Sequence, residues 1–263
     1  MLVRKRFHDL KSLHCKAAFV ERERLEQPNS SEYIQETKLL NYRDASITHL
    51  LETRGWNSIQ DESELIGSIY AFVRDEIAYG YTKSFELSSS QILHKGYGNC
   101  ITKTILLMGL FRAVGIPCRF HAFTVNKILF RGLVKGLRYN MISETIHHSW
   151  VEIFHEGSWI EIEGHIIDRP YLKNLQAKFP DYMGSFYGYG LAVLNFKNPP
   201  IQWNDEHTYV QNKVIEKDLG RYESPDAFFR EFPEAESCSK GFRYRHFIRP
   251  SLNKNIIAIR SGK

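Results

Sequence analysis

The sequence predicts a mixed helix-and-strand domain organised around one buried helix, and three observations carry that prediction. Residues 100–114, "CITKTILLMGLFRAV", are apolar around most of a helical circumference, which suits a helix covered on all sides. "CRFHAFTV", from Cys118, alternates Cys118, Phe120, Ala122 and Thr124 against Arg119, His121, Phe123 and Val125, the period of a strand. "HSWVEIF" and "SWIEIE" flank the turn "HEG" and read as a β-hairpin.

Along the chain, residues 1–60 are polar, with a turn cluster at "QPNSSE", and read as an N-terminal helical extension. In "ESELIGSIYAFVRDEIAYGY", Leu65, Ile69, Phe72 and Val73 recur at helical spacing, and Ile66, Tyr70 and Ile77 widen the stripe. Gly80 is the expected terminator. "SSSQILHKGYGNC" reads as a short serine-capped helix followed by a loop. Gly115 and Pro117 end the central helix. Residues 61–172 therefore form the expected core. After residue 172 the pattern loosens, and residues 173–263 are expected to pack on the core as a C-terminal extension. Within it "GSFYGYG" suits a cleft wall, a flap or a plain turn, and "SPDAFFREF" opens a helix with a Ser cap and a Pro.

The 263 residues are 43% hydrophobic and 25% charged, ordinary values for a globular chain. The net charge of +5 is too small and too dispersed to suggest a nucleic-acid surface. The basic residues Lys240, Arg243, Arg245, Arg249, Lys254, Arg260 and Lys263 close the chain with no acid among them. They suit a solvated tail or contact with an acidic partner or membrane surface. No apolar run follows the basic N-terminus and none is long enough to span a membrane, so a cytoplasmic location is expected.

The cysteines Cys15, Cys100, Cys118 and Cys238 include no C-x-x-C pair, which argues against a zinc knuckle or a dithiol redox site. Cys118 reads as a core residue, and nothing marks Cys15 or Cys238 as reactive. Cys100 differs because it stands where a Gly-rich turn enters the central helix. A thiol there feels the positive end of the helix, and its own N–H can serve an oxyanion. Gly96 and Gly98 would let a substrate approach the backbone.

A thiolate needs a base, and the hairpin supplies candidates. If Phe154 pairs with Trp159, one face carries His148, Trp150 and Glu152 opposite His165, Glu163 and Glu161. The other face, with Ser149, Val151, Ile153, Ile160 and Ile162, is small and apolar and should be the buried one. His148 then meets Glu163 diagonally, and His147 falls on the wrong face. His165 remains a rival base and Asp168 a reserve acid. The histidine spacing matches no metal motif, so no metal is expected.

With these residues in place, "VRDEIAYGY", "SSSQILHKGYGNCITKTILLMGLFRAVGIPCRF" and "HHSWVEIFHEGSWIEIEG" together resemble the core of the transglutaminase-like superfamily. The likeness runs over residues 65–170. It implies a papain-like α+β fold, an antiparallel sheet packed on a central helix that starts at the catalytic cysteine. By position Cys100 matches the nucleophile and His148 the base. Glu163 stands where the family usually has Asp, and Gly164 follows it in place of the usual Pro. The family holds transglutaminases, proteases, amidases, peptide N-glycanases and inactive members, so the resemblance names no substrate.

Three functional readings follow. The first is an amide hydrolase with Cys100, His148 and Glu163 in the catalytic roles. Its oxyanion or substrate contacts would come from Gln91, Tyr97, Gly98 or Trp150. The second delivers the same acyl-enzyme to an amine, and the third is a binding module without catalysis. A peptide or protein substrate is expected, with no cofactor. No calcium-binding loop of the D-x-D-x-D-G kind is present.

Overall fold

The computed structural model describes residues 31–263. The first half of the expected N-terminal extension, residues 1–30 with Cys15 included, lies outside the described residues.

Helix α1 (Ala45–Arg54) starts at Asp44, whose carboxylate accepts from the Ser46 N–H, and stops at Gly55 with φ of 66°. Helix α2 (Glu62–Asp75) is capped by Asp61 and buries Leu65, Ile66, Ile69, Tyr70, Phe72 and Val73, the stripe read from the sequence. It stops at Asp75 rather than at Gly80. Residues beyond it leave the helix because Ala78–Tyr79 form strand β1, paired in parallel with β2 (Tyr97–Gly98). Gly80 donates to the Gly98 carbonyl at 2.9 Å. A Cβ on Gly80 would lie 3.2 Å from the Tyr97 ring, so it is kept small by packing rather than by helix termination.

Helix α3 (Ser89–Lys95) carries a full capping box between Ser88 and Gln91. Helix α4 (Cys100–Ala113) follows, and every residue from Ile101 to Arg112 is buried. Its long basic side chains reach backbone carbonyls. Lys103 donates to the carbonyls of Arg74 and Ile166 at 3.1 Å each, and Arg112 donates to the carbonyls of Gln35, Cys118 and Glu223.

Strands β3 (Cys118–Asn126), β4 (Thr145–His155) and β5 (Ser158–Ile162) form an antiparallel meander. Phe154 pairs with Trp159, the register assumed from the sequence. After α5 (Arg169–Lys178) comes a small hairpin of β6 (Phe186–Gly188) and β7 (Leu191–Val193). Strand β8 (Ile215–Tyr222) then returns to the main sheet beside β3, giving the order β5–β4–β3–β8. Helices α6 (Pro225–Glu231), α7 (Pro233–Lys240) and α8 (Arg249–Arg260) complete the chain, with a π turn at Tyr244–Ile248.

One hydrophobic core joins α1, α2, α4 and the inner sheet face, where Val151, Ile153, Ile160 and Ile162 meet Ile105, Met108 and Phe111. A second core joins Val125, Leu129, Phe130 and Ile142 to Tyr171 and to Ile248, Leu252 and Ile256 of the C-terminal segment. Cys100 borders both. The basic segment is thus built into the fold rather than trailing from it. Lys240 pairs with Glu236 at 3.5 Å, and Arg260 pairs with Asp168. Among the described residues, no helix is long and apolar enough to cross a membrane.

Candidate active site

The helix cap at the site is Asn99, not the thiol. The Asn99 carboxamide accepts from the Thr102 N–H at 3.1 Å, and the Thr102 hydroxyl accepts from the Asn99 N–H at 2.9 Å. Cys100 is therefore the first helical residue, half-buried, and its amide lies in the turn whose N–H groups lack intrahelical acceptors. Gly98 serves this cap sterically. A Cβ there would lie 2.6 Å from the Thr102 hydroxyl.

His148 sits on β4 opposite Phe123 of β3 and is fully buried. Its Nε2 lies 2.7 Å from Glu163 Oε1, while its Nδ1 has no hydrogen-bond partner. Burial pulls the His148 pKa down. The neighbouring Cys100 sulfur, then the Glu163 carboxylate, outweigh that and raise it to about 9. With Glu163 Oε1 accepting from a protonated Nε2, Nδ1 is left for the thiol.

Glu163 lies one residue beyond β5, at the start of a 3₁₀ turn, Gly164–Ile166. Its second oxygen accepts from the backbone N–H groups of Val210, Gln211 and Asn212 at 2.7, 2.9 and 3.1 Å. Its own N–H donates to the Thr208 carbonyl at 3.0 Å. The loop at 208–212 thus holds the carboxylate from behind. Lys103 anchors the same turn through Ile166, its amine fully buried and its pKa lowered by that burial to about 7.

Other residues singled out from the sequence stand elsewhere. Gln91 is exposed and occupied by the capping box of α3. Tyr97 packs its ring against Gly80, and Gly98 is engaged in β-pairing and the cap contact. Trp150 is buried with its ring 3.9 Å from Phe123 and 5.9 Å from His148. It braces the imidazole rather than facing a ligand. Asp168 caps α5 by accepting from Tyr171 at 2.9 Å, and it also binds Arg260 and the Tyr79 N–H. It does not reach His148.

His165 does not oppose His148, because β4–β5 pairing ends at Val151 and Ile162 and the chain turns away. Its Nε2 lies 3.2 Å from the Thr104 hydroxyl, and burial holds its pKa well below the usual value. His147 faces Phe228 and Phe232 on the opposite side of the sheet. The "polar" face of the hairpin is also closed. Trp150 and Glu152 are as buried as the apolar face behind them, because Phe123, His121 and Arg221 cover them.

Cys100 and His148 line one cavity of about 450 Å³. Asn99, Gln211 and Tyr81 also line it, and the sequence reading missed all three. Only Asn99 carried a local signal, an Asn followed three residues later by Thr before an apolar run. The "GSFYGYG" hairpin contributes nothing to this cavity.

Among the described residues one group has metal-ligand spacing: His121, Glu152 and Glu161, whose donor atoms lie within 4.8 Å of one another. Glu152 already meets Arg119 at 2.5 Å and Arg221 at 3.0 Å. Those guanidiniums supply the positive charge a cation would bring, so the group fits an ion-pair network better than a metal site.

A helix that opens on a cysteine and packs under an antiparallel sheet defines the papain-like α+β class. Within that class, residues 51–164 match the model of the Transglutaminase-like superfamily. A candidate cysteine protease from Cytophaga hutchinsonii is similar over 50% of this chain and 40% of its own, at 18% identity and a TM-score of 0.38. The chain therefore matches less than half of that protein's length. No curated protein matches. That match supports a cysteine-dependent enzyme in general.

Proposed function

We propose that this chain is a cysteine-dependent amide hydrolase that works through a thioester acyl-enzyme on a peptide or peptide-like substrate. One observation carries the reading: His148, fixed through Nε2 by Glu163, keeps Nδ1 unpartnered at a cavity that Cys100 also lines.

In this mechanism the Cys100 sulfur, its proton passed to His148 Nδ1, attacks the amide carbonyl and forms the C–S bond. The oxyanion accepts from the Cys100 N–H, with the Asn99 carboxamide beside it. The imidazolium gives its proton to the leaving nitrogen, and the C–N bond breaks. Water then attacks the thioester, His148 takes a proton from it, the C–S bond breaks and the acid departs. Glu163 keeps the ring oriented and its charged form favourable throughout.

Cys100→Ala tests the reading against a panel of chromogenic amides. Turnover is expected to fall by about 10³-fold or more, to background. Unchanged hydrolysis in that variant refutes the mechanism. Product diverted by added primary amine would move the reading to acyl transfer.

A further inference from the structure

We infer that the acyl half of the scissile amide carries an extended apolar group that fills the cavity beside Cys100, a substrate class that rests on the hydrolase reading above. The cavity, about 450 Å³, is within the range that holds small ligands. Tyr81, Ser143, Thr145 and Gln211 give it some polar lining, but most of its wall is apolar, the stretch formed by Val125, Leu129, Phe130, Ile142, Ile248 and Leu252, all buried. None of those apolar side chains can donate or accept a hydrogen bond. A peptide backbone laid against that stretch would lose its water with few replacement partners, whereas a hydrocarbon chain would lose nothing. The charged lining residues Glu234 and Arg243 are exposed, which puts their charge at the rim.

The walls are fastened rather than loosely folded over the site. The Glu236 carboxylate accepts from the Ser84 hydroxyl at 2.7 Å and from the N–H groups of Phe85 and Glu86 at 2.8 and 3.0 Å. Asn253 exchanges two hydrogen bonds with the backbone of Tyr81, at 2.8 and 2.9 Å. The Tyr244 hydroxyl donates to the Thr82 carbonyl at 2.9 Å. The C-terminal segment therefore holds open a preformed apolar space. A short polar side chain such as glutamine's, with two methylenes, would leave most of that space unfilled.

Two measurements test this, one with turnover and one without. Hydrolysis of N-acyl p-nitroanilides is followed from acetyl to dodecanoyl. kcat/KM is expected to rise roughly three- to fourfold per methylene until the cavity is full, then to level or fall. Ile142→Trp, which takes volume from the cavity, should move the optimum to shorter chains. Separately, Cys100 is alkylated with iodoacetamides bearing N-methyl to N-octyl tails, with the rate read at the Cys100 peptide because Cys238 lines the same cavity. That rate should rise with tail length far more than it does for free cysteine. Turnover that is flat with acyl length, with alkylation equally flat, overturns the substrate class and leaves the hydrolase reading standing. Tail-dependent alkylation without any turnover removes the hydrolase reading and leaves an apolar ligand cavity. Flat alkylation with no turnover removes both.

Discussion

Two buried histidine–glutamate pairs lie on the same face of the sheet, and they differ in what each leaves unused. At one, His148 binds Glu163 at 2.7 Å, and the carboxylate's other oxygen is occupied by three backbone N–H groups. One imidazole nitrogen remains unpartnered, at a cavity. At the other, Glu152 meets His121 at 2.5 Å, Arg119 at 2.5 Å and Arg221 at 3.0 Å. The second nitrogen of His121 lies 3.0 Å from Asp218. The pairs look alike in composition. The first is neutralised by dipoles, and its histidine lines a cavity that a thiol also lines, whereas the second is neutralised by charges, with a carboxylate oxygen against each nitrogen of His121. Burial of a His–Glu pair is therefore not the mark of a site; an unspent nitrogen beside a nucleophile is.

The largest expected contrast is in activity. Glu163→Gln removes the charge that favours imidazolium and turns an amide toward either three N–H donors or the imidazole. Turnover should drop by about 10²–10⁴-fold. A Glu163→Gln enzyme with near-normal kcat/KM would erase the distinction between the two pairs.

The next contrast is in stability. Glu152→Gln removes the buried carboxylate shared by His121, Arg119 and Arg221 and should cost about 3–5 kcal/mol in chemical denaturation. Burial pushes the Glu152 carboxyl up, but His121 and the two arginines override it and hold the pKa at about 2. Its contribution is thus present above the ordinary carboxylate range and fades as pH falls toward 2. Turnover per folded molecule should change less than about tenfold, a contrast that kinetics on the folded fraction would check.

A pH profile sharpens the comparison further. His148 is raised from 6.5 to about 9, so its stabilising effect is complete below pH 6.5 and is lost as pH rises through about 9. Lys103 opposes it in the raw curve. Burial lowers its pKa to about 7, so the folded state gains on the unfolded one as pH rises above that. The difference in unfolding free energy between wild type and His148→Gln should isolate the first term and shrink near pH 9. The acylation rate should fall over the same window, as the proton needed by the leaving amine is lost. A flat rate from pH 8 to 10 would deny His148 that role.

The smallest effect belongs to Gln91. Its side chain completes the α3 capping box on an exposed surface. Gln91→Ala should cost about 1 kcal/mol or less and leave kcat/KM unchanged. A large kinetic loss there would return it to the oxyanion role expected from sequence.

Much of the core was legible because its signals are local. The all-round apolar pattern of residues 101–112, the Ser88 cap and the alternation of the hairpin each depend on neighbours within a turn or a strand. Parity along "HHSWVEIFHEGSWIEIEG" put His148 and Glu163 on one face, in keeping with their contact. The same reasoning misjudged that face as solvated and set His165 opposite His148. Parity does not say what covers a sheet or where pairing ends.

Strand β8 escaped notice because it is largely exposed and its residues, "IEKDLGRY", lack a buried alternation. The 208–212 loop that grips Glu163 carries no motif, since it acts through backbone N–H groups that every residue type possesses. The cavity walls join residues 125–148 to residues 234–252, far apart along the chain.

What the sequence determined by itself was the local frame: a capped helix opening on Cys100, a hairpin of known register, and a family signature across the two. Only the tertiary structure decided which acid steadies the histidine, which polar residues are already spoken for, and what kind of space lies before the thiol. The physical reason is range. Caps, periodicity and pairing are settled among near neighbours, whereas the holding of one carboxylate and the enclosure of a cavity depend on segments that meet only once the whole chain has folded.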